Sequence, residues 1–160
     1  MSKTKVYLAG CEGWYHNNLP DNTYYLEWRK EVEEWCSQFT ENIKVINPCR
    51  YYDYKENYHK SEAEVRRFDL HMVRNCDVVL VNLDHIKDSV GTLNEIFVAN
   101  ELGIPVIGFY EFKNDEIEWT DDRYKNEPWI VDVCHRIEDD ETSALLDALM
   151  YIRRYYANTN

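Results

Sequence analysis

The sequence predicts an open, parallel α/β sheet of about five strands with helices on both faces. Three observations lead there. Short apolar strands recur along the chain, amphipathic helical segments separate them, and the strongest strand, Asp77 to Leu83 (DVVLVNL), is apolar at nearly every residue instead of at alternate ones. A strand apolar on both sides belongs in the middle of a sheet that is covered twice, and strand-helix-strand units of this rhythm close with right-handed crossovers.

Val6-Tyr7-Leu8-Ala9 is the first strand, ended by the turn residue Gly10. After a polar loop, Asp21-Asn22-Thr23 can cap a helix whose apolar positions Tyr25, Trp28, Val32, Trp35 and Phe39 recur at helical spacing. Glu27, Arg29, Glu31 and Glu33 are expected on its solvent face. Ile43 to Ile46 is a second strand, closed by Asn47-Pro48 because proline cannot continue a central ladder. Residues 49–60 form a polar, tyrosine-rich loop, long enough to suggest a function. Ser61 and Glu64 make a capping box that opens a helix running to about Asn75. The central strand follows, then a loop from Asp84 to Val90, a helix from Thr92 to Leu102 stopped by Gly103, and a buried strand from Ile104 to Phe109. Trp129 to Val133 is expected to add an edge strand, and Thr142 to Tyr156 a final amphipathic helix. No repeat, low-complexity segment or linker divides residues 1–160, which read as one domain.

The chain has 160 residues, 44% hydrophobic and 14% aromatic, ample for a single core. Eighteen basic against thirty acidic residues give a formal charge of −12, which repels a phosphodiester backbone and an anionic membrane surface alike. Val6 to Ala9 is too short for a signal h-region, and no stretch approaches the ~20 apolar residues of a span. A soluble, cytoplasmic protein that binds neither nucleic acid nor membrane is expected. The five cysteines are widely spaced with no C-x-x-C pair, so reduced, mostly buried thiols are expected in place of zinc or disulfides, and chemistry without metal or cofactor is the default.

In such sheets ligands sit beyond the carboxyl ends of the strands, which selects the loops 10–20, 48–60, 84–92 and 110–127. The last is acidic and irregular and reads as a lid, an oligomer contact or a solvated loop. The G-x-G-x-x-G, G-x-x-x-x-G-K-[ST], G-x-S-x-G and H-E-x-x-H patterns are absent. Acids remain. The segment Asp88-Ser89-Val90-Gly91-Thr92-Leu93-Asn94-Glu95 turns at Gly91 and enters a helix, which puts Glu95 in the first turn. There the helix dipole favours the ionised carboxylate a nucleophile needs, although a first-turn acid also serves helix stability alone. Asp69, between Phe68 and Leu70, is expected to be partly buried. Desolvation would then suit it to donate a proton; an ordinary surface aspartate is the other reading.

Four segments in register resemble the nucleoside 2'-deoxyribosyltransferases and the related 2'-deoxynucleoside 5'-phosphate N-hydrolases. They are the opening Val6 to Gly10, the Asp69 helix, Cys76 to Leu83, and Ser89 to Glu95 continued by Ala99-Asn100-Glu101-Leu102-Gly103-Ile104-Pro105-Val106, over roughly residues 5–109. Asp69 stands eight residues before Asp77, the family's interval. The resemblance implies a flavodoxin-like domain in which Glu95 attacks the anomeric carbon of a deoxyribonucleoside and the base is exchanged for another nucleobase, with no cofactor or metal. It implies that Tyr7 orients Glu95, that Asp69 protonates the leaving base, that Trp14 walls the base, and that Gly10, Asp88, Ser89 and Gly91 line the substrate site. It also implies a homo-oligomer with shared active sites, for which Tyr124 and Asn126 are candidate contributors. Ser89 stands where the transferases commonly carry the aspartate that accepts the sugar 5'-hydroxyl, with Asp88 one residue earlier. A serine there resembles the monophosphate hydrolases, so transfer is placed first and hydrolysis of a 5'-monophosphate second. A noncatalytic nucleotide sensor and an NAD-cleaving glycohydrolase are the competing classes.

Overall fold

The computed structural model describes residues 2–11, 24–52, 58–110 and 128–157, without the side chains of Tyr24, Tyr25 and Asp88. Among the described residues, β1 (Thr4–Ala9), β2 (Ile43–Ile46), β3 (Val78–Asn82), β4 (Val106–Phe109) and β5 (Arg136–Glu138) form an all-parallel sheet in the order β2-β1-β3-β4-β5. Helices α1 (Tyr24–Phe39), α2 (Glu62–Arg74), α3 (Val90–Glu101), α4 (Pro128–Val133) and α5 (Ala144–Tyr155) cover it. This is the flavodoxin-like strand order. The chain leaves β1 toward one edge and β3 toward the other, so a crevice opens between their carboxyl ends.

Strand alternation sorts the core into two layers. Val6, Leu8, Val78, Leu80, Ile107 and Phe109 point toward α1 and α5, where Trp28, Val32, Ala148 and Ile152 meet them. The intervening residues Tyr7, Ala9, Val79 and Val81 point the other way, toward Val73 of α2, Ile96 and Ala99 of α3, and Ile130 of α4. Each fully buried aliphatic side chain contributes about 1.5–3 kcal/mol to this packing. Asp77 fastens the entry to β3: its Oδ2 accepts from Lys5 N at 2.7 Å, while its own N–H donates to Lys5 O at 2.8 Å. No helix among the described residues is long and apolar enough to cross a membrane.

Several elements depart from the sequence reading. Trp129 to Val133 is not an edge strand. It lies in α4, with Ile130 and Val133 buried, and the edge strand is the short β5 downstream. The final helix starts at Ala144, because Asp140 Oδ1 accepts from the N–H and hydroxyl groups of both Thr142 and Ser143 and holds that segment in a turn. The loop after β2 folds into a short 3-10 turn at Pro48–Tyr51, and the loop after β3 into another at Ile86–Asp88. In α1, Glu27 and Glu31 face solvent as expected, but Arg29 is 1% exposed and Glu33 accepts from Asn47 and Arg50. Phe39, expected in the apolar stripe, is exposed. At α2 the Ser61 hydroxyl caps Glu64 N, whereas the Glu64 carboxylate returns to Lys60 N at 2.6 Å, one residue before the cap. Gly103 takes φ +71° and stops α3 as expected, its N–H bonded to Asn100 O and that of Ile104 to Ala99 O.

Two glycines should respond oppositely to alanine. At Gly108, in β4, an added Cβ would stand 2.7 Å from Leu83 Cδ1 and 3.4 Å from Cys134 Sγ, inside closed packing. Gly108→Ala should lower unfolding stability by about 1–3 kcal/mol. Gly91 meets nothing within 4 Å and has a helical neighbourhood, so Gly91→Ala should raise stability by about 0.4–1 kcal/mol. Urea midpoints at unchanged slope measure both.

Candidate active site

Tyr7 sits in the central strand β1 at 0% exposure, and alternation aims its ring at the α2 and α3 layer. A buried phenol needs an acceptor. It finds one in Glu95, to whose Oε1 it donates at 2.7 Å. Burial, then the charges of Glu95 and Asp69, then the bond to Glu95 and the neighbouring Tyr52 push the Tyr7 hydroxyl well above its ordinary range. It therefore stays an O–H at any working pH and can only act as donor toward that carboxylate. Asp69, half-buried on α2, is itself the acceptor for a short hydrogen bond from the Tyr52 hydroxyl. Two carboxylates and two phenols, from β1, the segment after β2, α2 and α3, thus meet beside the β1–β3 crevice.

Glu95 is not in the first turn of its helix. Helix α3 begins at Val90, because the Ser89 hydroxyl caps Thr92 N at 3.4 Å, so Gly91 lies inside the helix and Glu95 in the second turn, with 9% exposure. Dipole effects fade within one turn. What orients Glu95 is the phenol of Tyr7. Ser89 Oγ also lies 2.7 Å from Thr92 Oγ1, so its hydroxyl already has work as a helix cap. If Thr92 is the donor in that contact, Ser89 keeps its own proton for a ligand. Gly91 is exposed with open space where a Cβ would be.

Gly10 is buried, and its packing explains the residue: a Cβ would stand 3.0 Å from Trp28 Cζ2 and 3.3 Å from Asn82 Cβ. Its carbonyl accepts from Arg29 Nη2 at 2.8 Å. Trp14, Tyr124, Asn126 and the side chain of Asp88 lie outside the described residues, as do most of the loops 10–20 and 110–127. Arg29 and Tyr52 are absent from the sequence-based set. Arg29 had a signal, since it shares a helix face with Val32 and Cys36, at intervals of three and seven residues. For Tyr52 the tyrosine-rich character of the loop was the only hint.

Other chemistry is poorly supplied. Burial pushes the thiols of Cys36, Cys76 and Cys134 up to about 11, 12 and 12, too high for ready thiolate formation, and no two of the five cysteines are bridged. Among the described residues no cluster of His, Cys, Asp and Glu has the arrangement of a metal site. A cleft of about 300 Å³ lies between α1 and α5, lined by Glu31, Trp35, Tyr110, residues 140–146 and Leu149. None of Tyr7, Asp69 and Glu95 reaches it, and its Asp140 is spent on the α5 turn, so the carboxylate pair marks the chemistry better than this concavity does.

Comparison with known proteins bears on the fold and the family. A search of curated proteins finds no match. Among solved structures, a conserved protein from Enterococcus faecalis V583 superposes with a TM-score of 0.63 at 19% identity, covering 94% of this chain and 99% of that one. A 2-deoxyribosyltransferase from the psychrotolerant bacterium Bacillus psychrosaccharolyticus gives 0.57 at 20% identity, covering 91% and 96%. At these identities the likeness is one of fold. The family model for nucleoside 2-deoxyribosyltransferase matches residues 6–140, a span that contains Tyr7, Tyr52, Asp69 and Glu95. The chain belongs to the nucleoside 2-deoxyribosyltransferase family.

Proposed function

We propose that the protein moves 2-deoxyribose from one nucleobase to another through a covalent intermediate on Glu95. The observation that carries this is the Glu95 carboxylate, held by a permanently protonated Tyr7 within electrostatic reach of a second acid, Asp69. In the first step a Glu95 oxygen attacks C1' of the donor, and the N-glycosidic bond breaks with its electron pair going to the base. Asp69 gives that base a proton. In the second step a ring nitrogen of the incoming base attacks C1', the ester to Glu95 breaks, and Asp69 takes the nitrogen's proton. An oxocarbenium-like transition state favours a carboxylate on one side of the sugar and a proton donor at the leaving group. Tyr7 steadies the carboxylate without itself changing state. Trp14 and Asp88 complete the proposed pocket against the base and the 5'-hydroxyl, and a second copy of the chain supplies residues from 110–160.

Glu95→Gln should lower turnover by about 10³-fold or more while keeping an acceptor for Tyr7. Glu95→Ala should be as inactive but also less stable by about 1–3 kcal/mol, because it strands a buried phenol. Product chromatography with deoxyadenosine and a free acceptor base measures the first, and thermal unfolding the second. A Gln variant with wild-type turnover would sink the mechanism.

Donor choice rests on the 88–89 pair. An Asp88 carboxylate facing the 5' position would repel a phosphate by about 1–4 kcal/mol at ~4 Å, at dielectric constants from water's down to that of a protein surface, and the Ser89 Oγ already lies 2.7 Å from Thr92 Oγ1. A deoxynucleoside should therefore show the higher kcat/KM than its 5'-monophosphate, and Asp88→Asn should narrow the gap. A preference for monophosphate that Ser89→Ala weakens would reverse the assignment in favour of hydrolysis.

A further inference from the structure

The segment after β2 is tied down more firmly than a surface loop requires. Glu33 of α1 accepts from Asn47 Nδ2 at 3.0 Å and from Arg50 at both oxygens, 3.1 Å from Nε and 2.6 Å from Nη2, while Asn47 Oδ1 caps Cys49 N at 3.1 Å. The guanidinium contact is a two-pronged one, which fixes direction as well as distance. Residues 47–51 are thereby fixed to α1, and Tyr51 and Tyr52 leave that turn toward α2. There they bracket two consecutive residues. The Tyr51 ring packs edge-on against Phe68 at 5.4 Å, and the Tyr52 hydroxyl donates to Asp69 Oδ1. His59 closes the outside, its ring 5.9 Å from both Tyr52 and Phe68.

We propose that Tyr52 is a positioning residue for Asp69: by occupying Oδ1 it turns the carboxyl group so that Oδ2 carries the proton exchanged with the base. This rests on the transfer reading given above and adds a residue to it. A donor held on Oδ1 fixes the plane of the carboxyl group, and it stabilises the ionised form that Asp69 adopts after giving up its proton. Among the described residues, the titratable groups around Asp69 include Tyr7 from β1, which interacts with both Asp69 and Glu95, Tyr52 from the segment after β2, which donates to it, and His59 from the segment before α2, whose ring lies beside Tyr52 and Phe68. Tyr7 keeps its proton throughout. His59 lies beside the Tyr52 ring and 4.0 Å from Glu64. On this proposal the alkaline limb of the rate profile, where a proton donor is lost, reports Asp69.

The test is Tyr52→Phe in the full chain, with two donors that differ in their need for a proton. Deoxyadenosine leaves as a base that must be protonated; N7-methylated deoxyguanosine already carries its positive charge and leaves neutral. The variant should lose about 10–100-fold in kcat on the first, as expected for one hydrogen bond to a charged group, and stay within about threefold on the second. Its alkaline limb on deoxyadenosine should move up by about 1 pH unit. Equal losses on both donors, or no loss on either while Glu95→Gln is inactive, would overturn the proposal and leave the transfer reading standing. A wild-type protein that cleaves neither donor would overturn both. An unchanged thermal midpoint shows that the phenylalanine ring has kept the packing.

Discussion

A phenol with no exposure, set in a central parallel strand, has to give its proton to something. Water cannot reach Tyr7, β1 pairs with a strand on each side of it, and strand alternation points the ring into a largely apolar layer. An unmet donor there would cost about 1–3 kcal/mol. Glu95 meets the demand, and α3 must then run where its second turn passes over β1. The crevice between β1 and β3 holds its carboxylate because of that single requirement. Stability and reactivity are usually in tension at active sites. Here the acid proposed to do the chemistry is also the acceptor that satisfies the buried phenol of Tyr7.

Much of this was legible in advance. The unbroken apolar run of β3 and the spaced apolar positions of α1, α2 and α5 gave the sheet and its covering helices, because burial on two faces or on one leaves different periods in the sequence. Tyr7 bonds to Glu95 and lies within electrostatic reach of Asp69, and the roles that the family resemblance implies for the three belong to the proposal. The error at Glu95 was one of phase: Gly91 looks like a turn residue, yet Ser89 supplies the cap and the helix simply tolerates the glycine. The misread of Trp129 to Val133 has a similar cause, since five mostly apolar residues fit a strand or a short helix equally well. β5, with Ile137 its only aliphatic residue, leaves little pattern to read.

Tyr52 and Arg29 were hidden for different reasons. The Tyr52 contact joins a segment without period to a helix 17 residues on, and no local rule links the two. Arg29 was assigned to solvent by its charge alone. Its guanidinium lies 4.6 Å from the Trp28 ring centroid and reaches the Gly10 carbonyl, so it works as a buried brace for the turn leaving β1. Long stems and planar heads let arginine cover apolar surface while serving a carbonyl. Apolar period identifies the face of a helix that is buried, but not the polar residue that shares it.

The Tyr7–Glu95 bond joins residues 88 positions apart, and Tyr52 and Asp69 come from two further elements between them. Such contacts are made late, since chain closure over long loops must be paid for before the contact returns anything. During synthesis β1 emerges first and waits, its phenol still hydrated, until β3 pairs with it and α3 docks above. An incomplete chain therefore carries every acid it has translated but no assembled Tyr7–Glu95 pair. Folding itself acts as the safety catch that keeps the two apart until the sheet and α3 are in place.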